Sequence, residues 1–274
     1  MMDVKQYLDR IGFDAPVERN LAGLTALHRA HLQAIPYENL DVQLGRRVTI
    51  ERPAIYDKMV NRRRGGWCYE MNGLFGWALA ELGFKVARAT GAVMRIAGGD
   101  HMAGNHLVLR VDLPEGLYLA DVGFGDGPID PIRVVRGKFT SNGFDFALEE
   151  ADPGWWRLTN HPYGGAPSFD FNLAPADEAL LAAKCDWLQT QPDSVFVQNL
   201  VCQRFAGDGL VVLRGRILRH VGPNGIRAER VLADASDLRA TLARAFDLDV
   251  PEARSLWPKI CARHEEVMRA RQTA

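Results

Sequence analysis

Cys68 stands in the run Arg62-Arg63-Arg64-Gly65-Gly66-Trp67-Cys68-Tyr69-Glu70-Met71-Asn72, a setting in which a cysteine can serve as a nucleophile. After it, Leu74, Phe75, Ala78, Leu79 and Leu82 recur at helical spacing until Gly83 ends the pattern, so Cys68 falls at or near a helix N-terminus. The positive end of the helix dipole and nearby arginine charge both favour the thiolate, the form that attacks carbonyl carbon. Gly65-Gly66 is expected to let the chain turn tightly into that helix.

A thiol nucleophile needs a base for its proton and a third group to orient the base. Of the seven histidines, His106 stands out because it opens the alternating run His106-Leu107-Val108-Leu109-Arg110-Val111, with the leucines and Val111 on one face and His106 on the other. His101 follows Gly98-Gly99-Asp100 in a loop. Asp121 lies in the apolar run Leu119-Ala120-Asp121-Val122, where a buried carboxylate requires a hydrogen-bond partner, and a histidine Nδ1–H would serve. The two runs read as one hairpin turning at Pro114-Glu115-Gly116. If Leu113 faced Leu117, His106 and Asp121 would point to opposite faces; a pairing needs an even-membered turn or a bulge.

Each residue also has a plain structural reading: a small residue at a helix start, a satisfied core histidine, an aspartate that caps a turn. The case for chemistry rests on the three together. His28 and His31, three apart on a helix, lack a third ligand nearby in sequence and read as ordinary partly buried histidines rather than a metal pair.

The elements that must position these groups follow in order. Val4, Tyr7, Leu8 and Ile11 mark a short helix ending at Gly12, and a second runs from Thr25, its cap, to Ala34. Pro36 to Asp41 reads as a turn. Pro53 is a helix N1 residue, followed by Ile55, Tyr56, Met59 and Val60 on one face. Residues 1–84 thus form a helical domain carrying the cysteine. Short β-rich runs then appear at Lys85–Ile96, His106–Leu113, Leu117–Val122, Phe144–Leu148 and Trp155–Thr159, the pattern of an antiparallel sheet or barrel over residues 85–174. From Pro175 to Thr190 the helical period returns, with Leu180, Leu181, Cys185 and Leu188 as its stripe. Phe196–Cys202, Leu210–His220 and Ile226–Leu232 read as strands and the rest as closing helices, an α/β unit over residues 175–274.

Lys+Arg of 33 against Asp+Glu of 34 in 274 residues gives a net charge of -1, which excludes an overall basic field for nucleic acid or anionic membrane. The N-terminal residues alternate charge with apolar side chains and read as neither signal peptide nor membrane span, so a cytoplasmic protein is expected. The four cysteines, Cys68, Cys185, Cys202 and Cys261, are far apart, which argues against zinc and disulfides.

Arg63-Arg64-Gly65-Gly66-Trp67-Cys68-Tyr69-Glu70-Met71-Asn72, then Asn105-His106-Leu107 and Asp121-Val122-Gly123-Phe124-Gly125, preceded by Pro36-Tyr37-Glu38-Asn39-Leu40, resembles the arylamine N-acetyltransferases over nearly the whole chain. The resemblance implies an α+β protein: an N-terminal helical bundle, a central antiparallel β-barrel and a C-terminal α/β lid, with a papain-like Cys-His-Asp site of Cys68, His106 and Asp121. It implies a ping-pong reaction in which Cys68 takes acetyl from acetyl-coenzyme A and an aromatic amine or hydrazine receives it, with no metal or prosthetic group. Macrocycle-forming amide synthases of the same family, and cysteine hydrolases or transglutaminase-like enzymes with the same site plan, are the alternatives.

By position in the family's motifs, Tyr37, Val93, Phe124 and Phe196 would line the acceptor slot, Tyr37 departing from the phenylalanine common there. For coenzyme A, Gly123 and Gly125 offer close backbone approach and Arg214, with Arg216 and Arg219, offers positive charge, although neither group forms a recognisable phosphate-binding motif. Asp126 would repel phosphate. Arg64 is expected among Glu38, Asn39 and Glu70, tying the first helices to the Cys68 turn.

Overall fold

The computed structural model describes residues 2–272. Its first third is helical wherever apolar residues recur every three or four positions. Helix α1 (Val4–Arg10) is capped by Asp3 and buries Tyr7. Helix α2 (Leu21–Ala34) starts before the expected Thr25, because the Asn20 side chain accepts from Gly23 N and satisfies the first turn. Pro36–Asp41 is more than a turn: it holds the two-residue strand β1 (Tyr37–Glu38) and opens the one-turn helix α3 (Leu40–Gln43). Helix α4 (Arg52–Tyr56) has Pro53 in its first turn, as expected, and widens into a π-turn over Asp57–Asn61. Helix α5 (Cys68–Glu81) is buried on nearly every side, its N-cap Trp67 and its Tyr69 and Phe75 side chains at 0% exposure. Burying one such large side chain stabilises by roughly 1.5–3 kcal/mol, so this helix anchors the core.

The next segment supplies β2 (Lys85–Val93), the short helix α6 (Arg95–Gly98), β3 (His106–Leu113), β4 (Gly116–Leu119), β5 (Ile132–Arg133), β6 (Gly137–Ser141), β7 (Phe144–Asp152), β8 (Trp155–Thr159) and β9 (Ser168–Pro175). They form one antiparallel sheet in the order β5-β4-β3-β2-β9-β8-β7-β6. This corrects the expected barrel: β5 and β6 are edges that do not pair with each other, so the sheet is an open, curled half-barrel. Strand β9 was not among the expected runs, although Ser168-Phe169-Asp170-Phe171-Asn172-Leu173 alternates polar with apolar residues as a strand does. Asp170 is nonetheless fully buried in mid-sheet, its charge met by Arg95 and Arg157.

The last segment holds α7 (Glu178–Thr190), α8 (Val195–Gln198), β10 (Val201–Ala206), β11 (Gly209–Arg214), β12 (Ile217–Gly222), β13 (Gly225–Val231), α9 (Ala235–Phe246) and α10 (Trp257–Gln272). Its sheet runs β1-β10-β11-β12-β13, so β1 leaves the N-terminal helices to pair with β10, Tyr37 opposite Gln203. The expected strand Phe196–Cys202 begins instead as helix: Ser194 caps Phe196 N, and the side chains of Asn39 and Gln43 take the carbonyls at the turn's end. The expected single strand Leu210–His220 is a hairpin, bent at Gly215, whose φ of 57° suits a tight turn.

One continuous apolar core joins α1, α2, α4 and α5 to the eight-stranded sheet, and a second lies under the five-stranded sheet against α9 and α10. No helix among the described residues is long and apolar enough to cross a membrane.

Candidate active site

Three side chains on one face of α5 reach across to the eight-stranded sheet. Cys68 Sγ donates to Asn105 O at 3.9 Å, Tyr69 Oη to Gly104 O at 2.6 Å, and Asn72 Nδ2 to Leu107 O at 2.6 Å. The helix start is therefore docked on the beginning of β3, with Cys68 touching the residue just before His106. Asn72 follows Cys68 by four positions, one helical turn, which brings both to the same face.

The β3–β4 hairpin decides whether His106 and Asp121 meet. Leu113 pairs with Gly116 and Arg110 with Leu119, leaving the two-residue turn Pro114-Glu115. This is the even-membered turn that puts His106 and Asp121 on one face. Their side chains meet at 2.7 Å through His106 Nε2 and Asp121 Oδ2. The ring nitrogen is thus Nε2, not the expected Nδ1, because the carboxylate approaches from the far end of the ring. His106 Nδ1 makes no hydrogen bond among the described residues.

Asp121 is closed in by donors. Its Oδ1 accepts from Asn72 Nδ2 at 2.6 Å and from Gly123 N at 2.8 Å, while Asn72 Oδ1 accepts from Val122 N. Burial alone would raise its pKa, but His106, Asn72 and Gly123 together hold it below the usual carboxylate range. Asn72 was missed from the sequence as a part of this group, although its spacing from Cys68 carried the signal. Gly123 is obligatory here, since a Cβ would lie 2.8 Å from Cys68 Cα and 2.6 Å from Asn72 Nδ2.

Burial pushes the Cys68 thiol well up, and backbone hydrogen bonds at Leu107 and Tyr69 only partly oppose it. The three arginines before it do not supply the expected charge. Arg62 pairs with Asp57, Arg63 with Asp247, and Arg64 with Glu38 and Asp41. Arg64 Nη2 to Glu38 Oε1 is 2.7 Å and Arg64 Nη1 to Asp41 Oδ1 is 3.2 Å. Glu70, expected beside Arg64, instead receives both its oxygens' contacts from buried Lys58 Nζ at 2.9 Å, and Lys58 also meets Asp41 at 2.9 Å. Glu70 Oε2 further accepts from Trp67 N, so this charge cluster pins the residue before Cys68. Gly65 and Gly66 serve close approach rather than a left-handed turn: a Cβ on Gly65 would lie 2.1 Å from Pro36 O.

Aromatic side chains surround the His106 ring. Phe124 and Phe169 lie 5.8 and 5.0 Å from it, centroid to centroid, and Phe196 packs edge-on to Trp67 at 5.0 Å. Val93, at the end of β2, is bracketed by Asn105, whose side chain bonds both its N and O. Tyr37 is buried, and its phenol is pushed up by burial with Cys68 adding to the effect. Gly125 faces inward onto Gln203. Asp126 does too, accepting from Gln203, Asn160 and Gly165, so its carboxylate is not presented to a ligand as the sequence suggested. Arg214 stands at the end of β11, opposite Val201. His28 and His31 are fully buried, not partly, and burial lowers both; His28 falls to about 4. No group of three or more His, Cys, Asp or Glu side chains among the described residues is placed to hold a metal.

A family model described as N-acetyltransferase matches residues 20–255. An arylamine N-acetyltransferase from Mycolicibacterium smegmatis is 37% identical over 265 residues, covering 91% of this chain and 93% of that protein. A pineal gland isozyme from Gallus gallus is 33% identical over 278 residues, covering 90% and 94%. The structure of the Mycobacterium marinum arylamine N-acetyltransferase in complex with CoA matches with a TM-score of 0.85 at 33% identity, covering 94% of this chain and 98% of that one.

Proposed function

Since the chain belongs to the arylamine N-acetyltransferase family and is therefore an acyltransferase, we propose that it moves acetyl from acetyl-coenzyme A to an aromatic amine, arylhydrazine or N-hydroxyarylamine in two half-reactions through Cys68. The observation that carries this reading is the His106–Asp121 contact at 2.7 Å beside the Cys68 helix start.

In this reading Cys68, His106 and Asp121 form a papain-like triad. Burial disfavours a lone thiolate, so the Cys68 proton passes to His106 Nδ1, the nitrogen that Asp121 leaves available. Asp121 then stabilises the imidazolium and fixes the ring. The thiolate attacks the thioester carbon, a C–S bond forms, and coenzyme A leaves as its thiol with the proton from His106. The second half-reaction reverses the roles: the amine attacks the acetyl-cysteine and His106 takes a proton from its nitrogen. First-turn N–H groups of α5 hold the oxyanion in both, a contribution of about 3 to 4 kcal/mol per donor.

Phe124, Phe196, Val93 and Tyr37 form the acceptor slot, with aromatic faces for a flat ring. The Gly123–Gly125 turn and Arg214 are the coenzyme A contacts. The deciding experiment incubates the protein with acetyl-coenzyme A alone and maps the modification by mass spectrometry. One acetyl group on Cys68, released on adding an arylhydrazine, is expected; transfer at the parent rate by Cys68→Ser would defeat the mechanism.

A further inference from the structure

A cavity of about 220 Å³ opens where α5, β2, β3 and the link from β9 to α7 meet, and none of Cys68, His106 and Asp121 lines it. Its apolar side is made by Gly73, Gly76 and Trp77 of α5 and Leu109 of β3. Gly76 lies so close to that strand that a Cβ there would stand 2.9 Å from Leu109 Cδ2. Arg88 of β2 and Arg52 of α4 bring positive charge, and Glu178, at the start of α7, is the acidic residue in the lining.

The Arg88 guanidinium is not satisfied. Its Nε and Nη2 are buried and donate to no acceptor among the described residues. Glu178 Oε1 lies 2.9 Å from Nε, but outside hydrogen-bond geometry and on a side chain that is 55% exposed. Arg52 makes no ion pair among the described residues. Arg64 shows what full compensation looks like: two carboxylates meet it and hold its pKa up, whereas burial outweighs Glu178 at Arg88, Arg52 adds to the effect, and the pKa falls. Buried donors without acceptors are costly, and an anion would supply what these lack. From the unpartnered fork, the second arginine and the apolar side, we propose that the cavity binds a small carboxylic acid with a flat apolar body, its carboxylate on the Nε–Nη2 edge of Arg88 and its body against Trp77 and Leu109. Two parallel N–H donors match the two oxygens of a carboxylate, and Glu178 at the edge disfavours a dianion such as phosphate. An apolar cavity of about 150 Å³ holds one benzene molecule, so this one takes a single ring with its acid group.

The test titrates the full-length protein calorimetrically with benzoate, with benzamide, which keeps the ring without the charge, and with inorganic phosphate, which keeps charge without the ring. Benzoate should bind at least tenfold more tightly than either, and should raise the melting temperature as its concentration rises. Arg88→Gln should weaken benzoate about tenfold or more. Ala80→Phe, at an exposed position of the lining, should fill the opening and do the same, so a poorly folding Arg88→Gln does not end the test. No binding, equal affinity for benzoate and benzamide, phosphate bound as tightly as benzoate, or undiminished affinity in a folded variant overturns the proposal. So does benzoate that competes with an arylamine for acetyl transfer equally well in the parent and both variants, since it then lies beside Cys68.

Discussion

Two buried polar groups flank the start of α5, and they differ in how fully they are closed. On one side Lys58 and Arg64 meet Glu38, Asp41 and Glu70, with Arg46 at the rim as a third cation. Each charge there faces an opposite one, and although burial alone would lower Lys58 and Arg64, their carboxylate neighbours raise both. On the other side, Asp121 is saturated by Asn72, Gly123 and His106, but His106 Nδ1 has no hydrogen-bond partner among the described residues. The first group fixes protonation and holds the chain before Cys68 in place. The second leaves one position where a proton can arrive and leave. A closed network gives rigidity, and an open one gives chemistry.

Asp121→Asn should separate the two most sharply. The new amide keeps the bonds to Asn72 and Gly123 but offers His106 Nε2 a donor, which shifts the ring proton to Nδ1 and blocks uptake of the thiol proton. Acetyl transfer should fall by about 10⁴, with little change in melting temperature. If turnover survives within tenfold, the open network is not catalytic.

Lys58→Met should do the reverse. It leaves Glu70 and Asp41 facing one another without their shared cation, which costs about 3–5 kcal/mol in denaturant unfolding. Turnover per folded molecule should stay within about tenfold of the parent. A variant that lost activity while melting normally would erase the distinction between the two groups.

The smallest expected effect is on pH dependence. Because burial raises the Cys68 thiol, a thiolate without a proton acceptor forms only as pH climbs through that raised value. His106→Gln should therefore show iodoacetamide alkylation that increases only above the free thiol pKa of roughly 8.5. The parent, with its proton on His106, should react well below it. Superimposable pH profiles for the two proteins would remove the ion pair from the mechanism.

Much of this architecture was legible in the sequence because its signals are local. The strands His106–Leu113 and Trp155–Thr159, and the start of α5 at Cys68, follow from periods of two and of 3.6 residues. Where polar side chains act from afar the pattern misled: Asn39 and Gln43 hold the Phe196 segment as helix rather than strand. The curled sheet's open edges were invisible for the same reason, since pairing between distant strands leaves no local mark.

By itself, then, the sequence placed Cys68 at its helix start and His106 at the head of a strand, and showed that a meeting with Asp121 depends on an even turn, although the expected strand Leu117–Val122 stops at Leu119 and Asp121 lies two residues past β4. The family resemblance lay in the same residues. Tertiary structure alone decided that Nε2 rather than Nδ1 faces Asp121, that Asn72 joins helix to hairpin, that Lys58 rather than Arg64 answers Glu70, and that the arginines before Cys68 are spent on other carboxylates. Backbone conformation is set by near neighbours, whereas the partner of a buried polar atom is chosen by whichever distant side chain the packing brings within about 3 Å.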